Sequence, residues 1–137
     1  MKNTLAILLM PPNPSYAPVR DVVIRVLRDL GYQTASADQA AISDAQWVNV
    51  TTDAIQQADL IVADVSDRDP NVMYDLGFAH ALRKPTLLLL STASSGKLPS
   101  DLFSYQMLTY DPNQIESLRQ QVYSFAGYLN KRLSGEA

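Results

Sequence analysis

At 137 residues the chain suits one domain, residues 1–137, long enough to bury about two thirds of its unfolded surface without a disulfide or metal staple. It has no Cys, and its 11 Lys and Arg are scattered against 14 Asp and Glu for a net charge of −3. That argues against a nucleic-acid groove, which needs clustered cations, and against a basic membrane-binding helix. The apolar run after Thr4 spans only about six residues, too short for a secretory segment or a membrane span, so a soluble cytoplasmic protein is expected.

Leu5 to Met10 is continuously apolar and ends at Pro11 and Pro12, which predicts a fully buried strand. Pro18 starts a helix that puts Val19, Val22, Val23, Val26, Leu27 and Leu30 on one face, and Gly31 stops it. Tyr32 to Ala37 reads as a less apolar strand near the sheet edge. Residues 38 to 46 read as loop or irregular helix. A second helix is expected from Trp47 to Ala58, with Trp47, Val50, Ala54 and Ile55 inward.

Leu60 to Val65 is the third strand. Asp69 and Pro70 predict an N-cap and first turn, with the helix reaching about Leu82. Thr86 to Leu90 is the fourth strand, followed by a Ser-rich loop from Ser91 to Gly96. Tyr105 to Tyr110 is a weak fifth strand. Asp111, Pro112 and Gln114 read as a cap for a last helix with Ile115, Leu118, Val122, Phe125, Leu129 and Leu133 on one face.

Alternating strands and helices predict an α/β fold: a doubly wound, flavodoxin-like, five-stranded parallel sheet of order 2-1-3-4-5 with helices on both faces. The switch point then lies between strands one and three. Loops 10–16 and 64–74 would form two walls of one crevice. Met10 and Pro11 from the first loop, and Asp64, Asn71 and Tyr74 from the second, are the candidate ligand-binding residues.

Asp64, Asp67, Asp69 and Asp75 fall within twelve residues, close enough to raise one another's pKa values in a shielded site. Taken singly, Asp69 reads first as a cap, Asp67 as a solvated loop charge, and Asp64 equally as strand end or site residue. Asp75 differs because it sits inside a helix among Val72, Leu76, Ala79 and Leu82. A carboxylate so placed is partly desolvated, as a nucleophile or acid needs. The lone His80 is five residues further, about 140° around the helix, and reads as a helix-end residue. With one His and no Cys, no transition-metal site is assigned and no cofactor is implied. Ser94-Ser95-Gly96-Lys97-Leu98 lacks the earlier Gly and the following Ser or Thr of a phosphate loop.

The run Ala58-Asp59-Leu60-Ile61-Val62-Ala63-Asp64-Val65-Ser66, then Asp69-Pro70-Asn71-Val72-Met73-Tyr74-Asp75-Leu76-Gly77, then Lys84-Pro85, resembles the nucleoside 2-deoxyribosyltransferase-like superfamily. Within it the chain is most similar to the TIR-like branch with an Asn-Pro-Asn-Val-x-Tyr-Glu-Leu-Gly motif. The resemblance implies a small-molecule nucleoside or nucleotide partner, a homo-oligomer, and cleavage or transfer of an N-glycosidic bond through a covalent sugar ester on the residue matched by Asp75. It also implies a base-binding role for Asp69, six residues earlier. Asp in place of Glu withdraws the carboxylate by one methylene, roughly 1.5 Å, and a misplacement near 1 Å can cost about a hundredfold in rate. The alternative is a catalytically weak TIR-like module that senses a nucleotide or mediates assembly in signalling.

Overall fold

Three apolar runs occupy the middle of the sheet and two poorer ones its edges. In the computed structural model, which describes residues 4–36, 47–94, 98, 102 and 105–133, the strands are β1 (Leu5–Leu9), β2 (Gln33–Ser36), β3 (Leu60–Asp64), β4 (Thr86–Ser91) and β5 (Gln106–Tyr110). They form one parallel sheet of order β2-β1-β3-β4-β5, as the alternation predicts. Every residue of β3 is buried, whereas β2 and β5 are exposed or half-buried except for their last residues, Ser36 and Tyr110. A strand covered on both faces can be apolar throughout, and an edge strand cannot.

The helices are α1 (Ala17–Asp29), α2 (Trp47–Gln57), α3 (Pro70–Ala81) and α4 (Glu116–Leu133), with a 3-10 turn at Pro14–Tyr16. One core layer joins Leu8, Val62 and Leu87 to Val23 and Val26 of α1 and Leu118 and Val122 of α4. The other joins Ile7, Ile61 and Leu88 to Ile55 of α2 and Val72, Leu76 and Ala79 of α3. Successive strand residues thus feed opposite faces, as the pleat requires. Each fully buried Leu or Ile contributes roughly 1.5–3 kcal/mol through removal from water.

Helix ends follow their local chemistry. Gly31, at φ 93°, closes α1: its N–H bonds the Arg28 carbonyl at 3.0 Å and the Tyr32 N–H bonds Leu27 at 2.9 Å. This is the Schellman pattern, in which a left-handed residue favours glycine. Asp69 caps α3 by accepting from the N–H groups of Asn71 at 2.9 Å and Val72 at 3.2 Å. Asp69→Ala is expected to lower stability by about 1 kcal/mol, measured as a shift of the urea midpoint at constant slope.

The end of the chain departs from expectation at Asp111. Its carboxylate accepts from the Asn113 N–H at 2.8 Å, making a local turn, and α4 begins only at Glu116. Asx turns compete with helix caps for the same side chain, and here the turn wins. Among the inward residues expected of α2, Ile55 is fully buried, while the side chains of Trp47 and Val50 and the segment 37–46 lie outside the described residues.

Candidate functional site

The two loops meet where the fold predicts, at the carboxyl ends of the strands. Tyr16, from the 3-10 turn after β1, donates its hydroxyl to Asp67 Oδ2 at 2.6 Å, joining residues 51 apart in sequence. Asp67 is exposed, but it is bonded across the crevice, which sequence alone does not reveal. Burial and the bond to Asp67 both raise the Tyr16 phenol, so it stays protonated and serves as a donor.

Behind this pair lies Asp64, the last residue of β3, with no exposed surface. Its Oδ1 accepts from the Ser66 N–H at 2.9 Å and its Oδ2 from the Tyr110 hydroxyl at 2.6 Å. Tyr110 ends β5, beside Ser91 of β4, and its ring reaches past the end of β4 to the carboxylate. Burial drives the Asp64 carboxyl above its usual range; the bonds from Ser66 and Tyr110 oppose that rise, and Asp67 adds to it. Ser66 holds the end of β4 and the loop after it, its Oγ accepting from the Ser91 N–H at 2.8 Å and its carbonyl accepting from Ser94 Oγ at 2.6 Å.

Together these groups surround a cavity of about 220 Å³. Ser15, Ser66, Ser91, Ser94, Tyr16 and Tyr110 bring hydroxyls to its wall, and Asp67 brings the carboxylate. Hydroxyls and one carboxylate, with no cation among the described lining residues, suit a neutral polyhydroxylated group such as a sugar. Val19 and Pro112 supply apolar surface. Among the described residues no group of three or more His, Cys, Asp or Glu side chains is placed to hold a metal.

None of the other residues singled out by sequence belongs to the described lining of this cavity. Met10 and Pro11 are buried at the end of β1. Asp69 is engaged as the cap of α3, and Asn71 and Tyr74 on its first turns are exposed, Tyr74 at 71%. Asp75 retains 7% of its surface and shares its turn of α3 with buried Val72, Leu76 and Ala79, on the face opposite α1 and α4. Burial alone pushes its carboxyl up to about 6. It is therefore ionised at neutral pH yet stripped of most of its water.

Tyr16, Tyr110 and Asp67 are the residues that sequence reading missed. One signal for Tyr110 is its position: a polar aromatic closing an otherwise weak strand at the carboxyl edge of the predicted sheet.

A model of the nucleoside 2-deoxyribosyltransferase family matches residues 13–120. The 5-hydroxymethyl-dUMP N-hydrolase of Rattus norvegicus is 30% identical over 118 residues, covering 81% of this chain and 67% of that protein. The CMP N-glycosidase of Clostridium botulinum has the same fold, with a TM-score of 0.69 at 22% identity over 89% of this chain and 99% of its own. A 2-deoxyribosyltransferase from Bacillus psychrosaccharolyticus superposes with a TM-score of 0.65 at 17% identity, over 90% of this chain and 96% of its own. A signalling role draws no support from the family match or from these three relatives. The motif around Asp75, the sheet order and these matches agree: the chain belongs to the nucleoside 2-deoxyribosyltransferase family.

Proposed function

We propose that the chain cleaves or transfers the N-glycosidic bond of a nucleoside or nucleoside monophosphate, with Asp75 as nucleophile. The observation that carries this reading is a carboxylate buried inside α3, where burial raises it, standing where the family's Tyr-Glu-Leu-Gly motif puts its catalytic carboxylate. The N-hydrolase and N-glycosidase relatives support the reaction class and a nucleotide-sized substrate.

In this reading Asp75 Oδ attacks the anomeric carbon as the bond to the base nitrogen breaks, and the electron pair leaves with the base. A second carboxyl, Asp69 or Asp64, holds the departing base, which takes its proton from water. Water then opens the sugar ester, or a second base takes the sugar. The desolvated carboxylate is a stronger nucleophile than a hydrated one. Met10, Pro11, Asn71 and Tyr74 complete the ligand-binding set, with Asp64 behind them as the buried acceptor that holds Tyr110 and Ser66. Self-association belongs to the same proposal, with Tyr123 and Tyr128, exposed on α4, as contact surface.

The test is base release from 2′-deoxynucleosides and nucleoside monophosphates, followed for the wild type, Asp75→Ala and Asp75→Glu. The wild type should release base slowly from at least one compound. Ala should lower the rate by about a hundredfold or more, and Glu, which restores the missing methylene, should preserve or raise it. Release that survives Asp75→Ala undiminished removes Asp75 as nucleophile. Neither release nor a ligand-induced rise in melting temperature with any compound removes the nucleoside reading altogether.

A further inference from the structure

The opposite edge of the sheet carries a second cavity, of about 540 Å³, lined by His80, Ala81, Arg83, Lys84 and Tyr105. These residues surround the C-terminal end of α3 and the approaches to β4 and β5, at the amino ends of the strands. Six residues of β4, roughly 20 Å of extended chain, separate this edge from the crevice edge.

Its chemistry is the reverse of the crevice's. Arg83, Lys84 and His80 bring basic groups to the wall, and no carboxylate belongs to its described lining, although the whole chain is net acidic. The His80 and Tyr105 rings meet edge to face with centroids 5.0 Å apart, so the wall also offers a fixed aromatic surface. Lys84 Nζ donates to the Gln56 carbonyl at the end of α2 at 2.6 Å, which anchors the ammonium while leaving two of its three donor hydrogens.

The backbone supplies an independent argument. Helix α3 ends in the same Schellman pattern as α1: the Arg83 N–H bonds the His80 carbonyl at 2.9 Å and the Lys84 N–H bonds Ala79 at 3.1 Å. In α1 the left-handed position is Gly31, but in α3 it is Arg83, at φ 56°. An L residue is less favourable there than glycine, so the turn itself gives no reason for arginine. What arginine adds at that position is a guanidinium at the mouth of the cavity.

We infer that this cavity is a binding site for a phosphorylated heteroaromatic of mononucleotide size, separate from the crevice. The cationic side chains take the phosphate oxygens, the guanidinium in bidentate fashion, and the aromatic wall takes the ring. Its volume falls within the ordinary range for such ligands, roughly 300–1,000 Å³.

The probes are ADP, pyrophosphate and adenosine, titrated calorimetrically into the full chain at low ionic strength, with backbone amide shifts recorded in parallel. ADP should bind saturably and more tightly than pyrophosphate, adenosine should bind weakest, and added salt should weaken ADP. The shifts should centre on residues 79–86 and 105. Arg83→Gly relieves the left-handed strain, so it should melt no lower than the wild type while weakening ADP at least tenfold; His80→Gln should weaken it less. Absence of saturable ADP binding, equal affinity in Arg83→Gly, or shifts confined to residues 10–16 and 64–75 would each overturn the proposal.

Discussion

Asp75→Asn is expected to abolish base release and at the same time raise the melting temperature at pH 7. In the folded chain the Asp75 carboxyl is held near 6, against 3.8 when unperturbed, and burial is the sole cause. Between those values the folded state binds more protons than the unfolded one, so stability falls as pH rises through the window. Above pH 6 the full cost of the buried charge is present, on the order of 2–3 kcal/mol, and below about pH 4 it is gone. Asn has nearly the same shape and no charge to desolvate. Its own amide still loses water, so a net gain of about 1–2 kcal/mol, several degrees in melting temperature, is the expected size.

That gain should shrink steadily as the buffer is taken from pH 7 to pH 4. Turnover should fall by roughly a thousandfold or more, because an amide oxygen does not form the sugar ester. Thermal melts of both proteins at pH 4, 5, 6 and 7, alongside base-release rates at pH 7, give the result. An Asn variant less stable than the wild type at pH 7, or a difference that does not vary with pH, contradicts the assignment of burial as the cause. The combination of lost activity and gained stability separates a functional carboxylate from one retained for packing, since removal of a structural carboxylate lowers both.

The fold is legible in the sequence wherever one segment decides its own fate. Leu5–Leu9, Leu60–Asp64 and Thr86–Ser91 are apolar because both their faces are covered, and the poorer composition of Gln33–Ser36 marks an edge. Asp69-Pro70 and Gly31 punctuate helices through chemistry confined to three or four residues. Strand order supplies the rest of the frame, placing the loops after β1 and β3 together.

The candidate site is legible only in part, because its bonds join residues about fifty positions apart. Tyr16 with Asp67 and Tyr110 with Asp64 have no local periodicity to betray them. Read alone, Asp67 is a charge in a loop; it becomes a crevice wall once a phenol from another loop reaches it. The same holds at the distal edge, where His80, Arg83 and Lys84 look like ordinary helix-end polar residues until Tyr105, from the approach to β5, closes the cavity. Asp111 shows the opposite failure: a local cap signal was present, and an equally local turn used the side chain first.

Tyr110→Phe removes one oxygen from a residue that is 3% exposed, leaves the ring in place, and strips Asp64 Oδ2 of a 2.6 Å bond. Asp64 has no exposed surface through which water could take over that bond. Hydrogen bonds to charged groups contribute about 1.5–3 kcal/mol, and a buried charge left without its donor costs more than a neutral group, so a loss of about 2–3 kcal/mol is expected. The bond lowers the Asp64 carboxyl against the upward push of burial, so its removal raises that group further. A group whose folded value lies above its unfolded one destabilises progressively as pH rises, so the variant's deficit is expected to grow with pH, which a comparison of pH 5 with pH 8 tests. Tyr16→Phe supplies the comparison, because its partner Asp67 is exposed and can bond to water instead; its cost should stay below about 1 kcal/mol. Urea unfolding of the three proteins at both pH values measures the difference, and the cycle through Asp64→Asn isolates the coupling. Equal losses in the two Phe variants would mean that Asp64 draws its support from elsewhere than Tyr110.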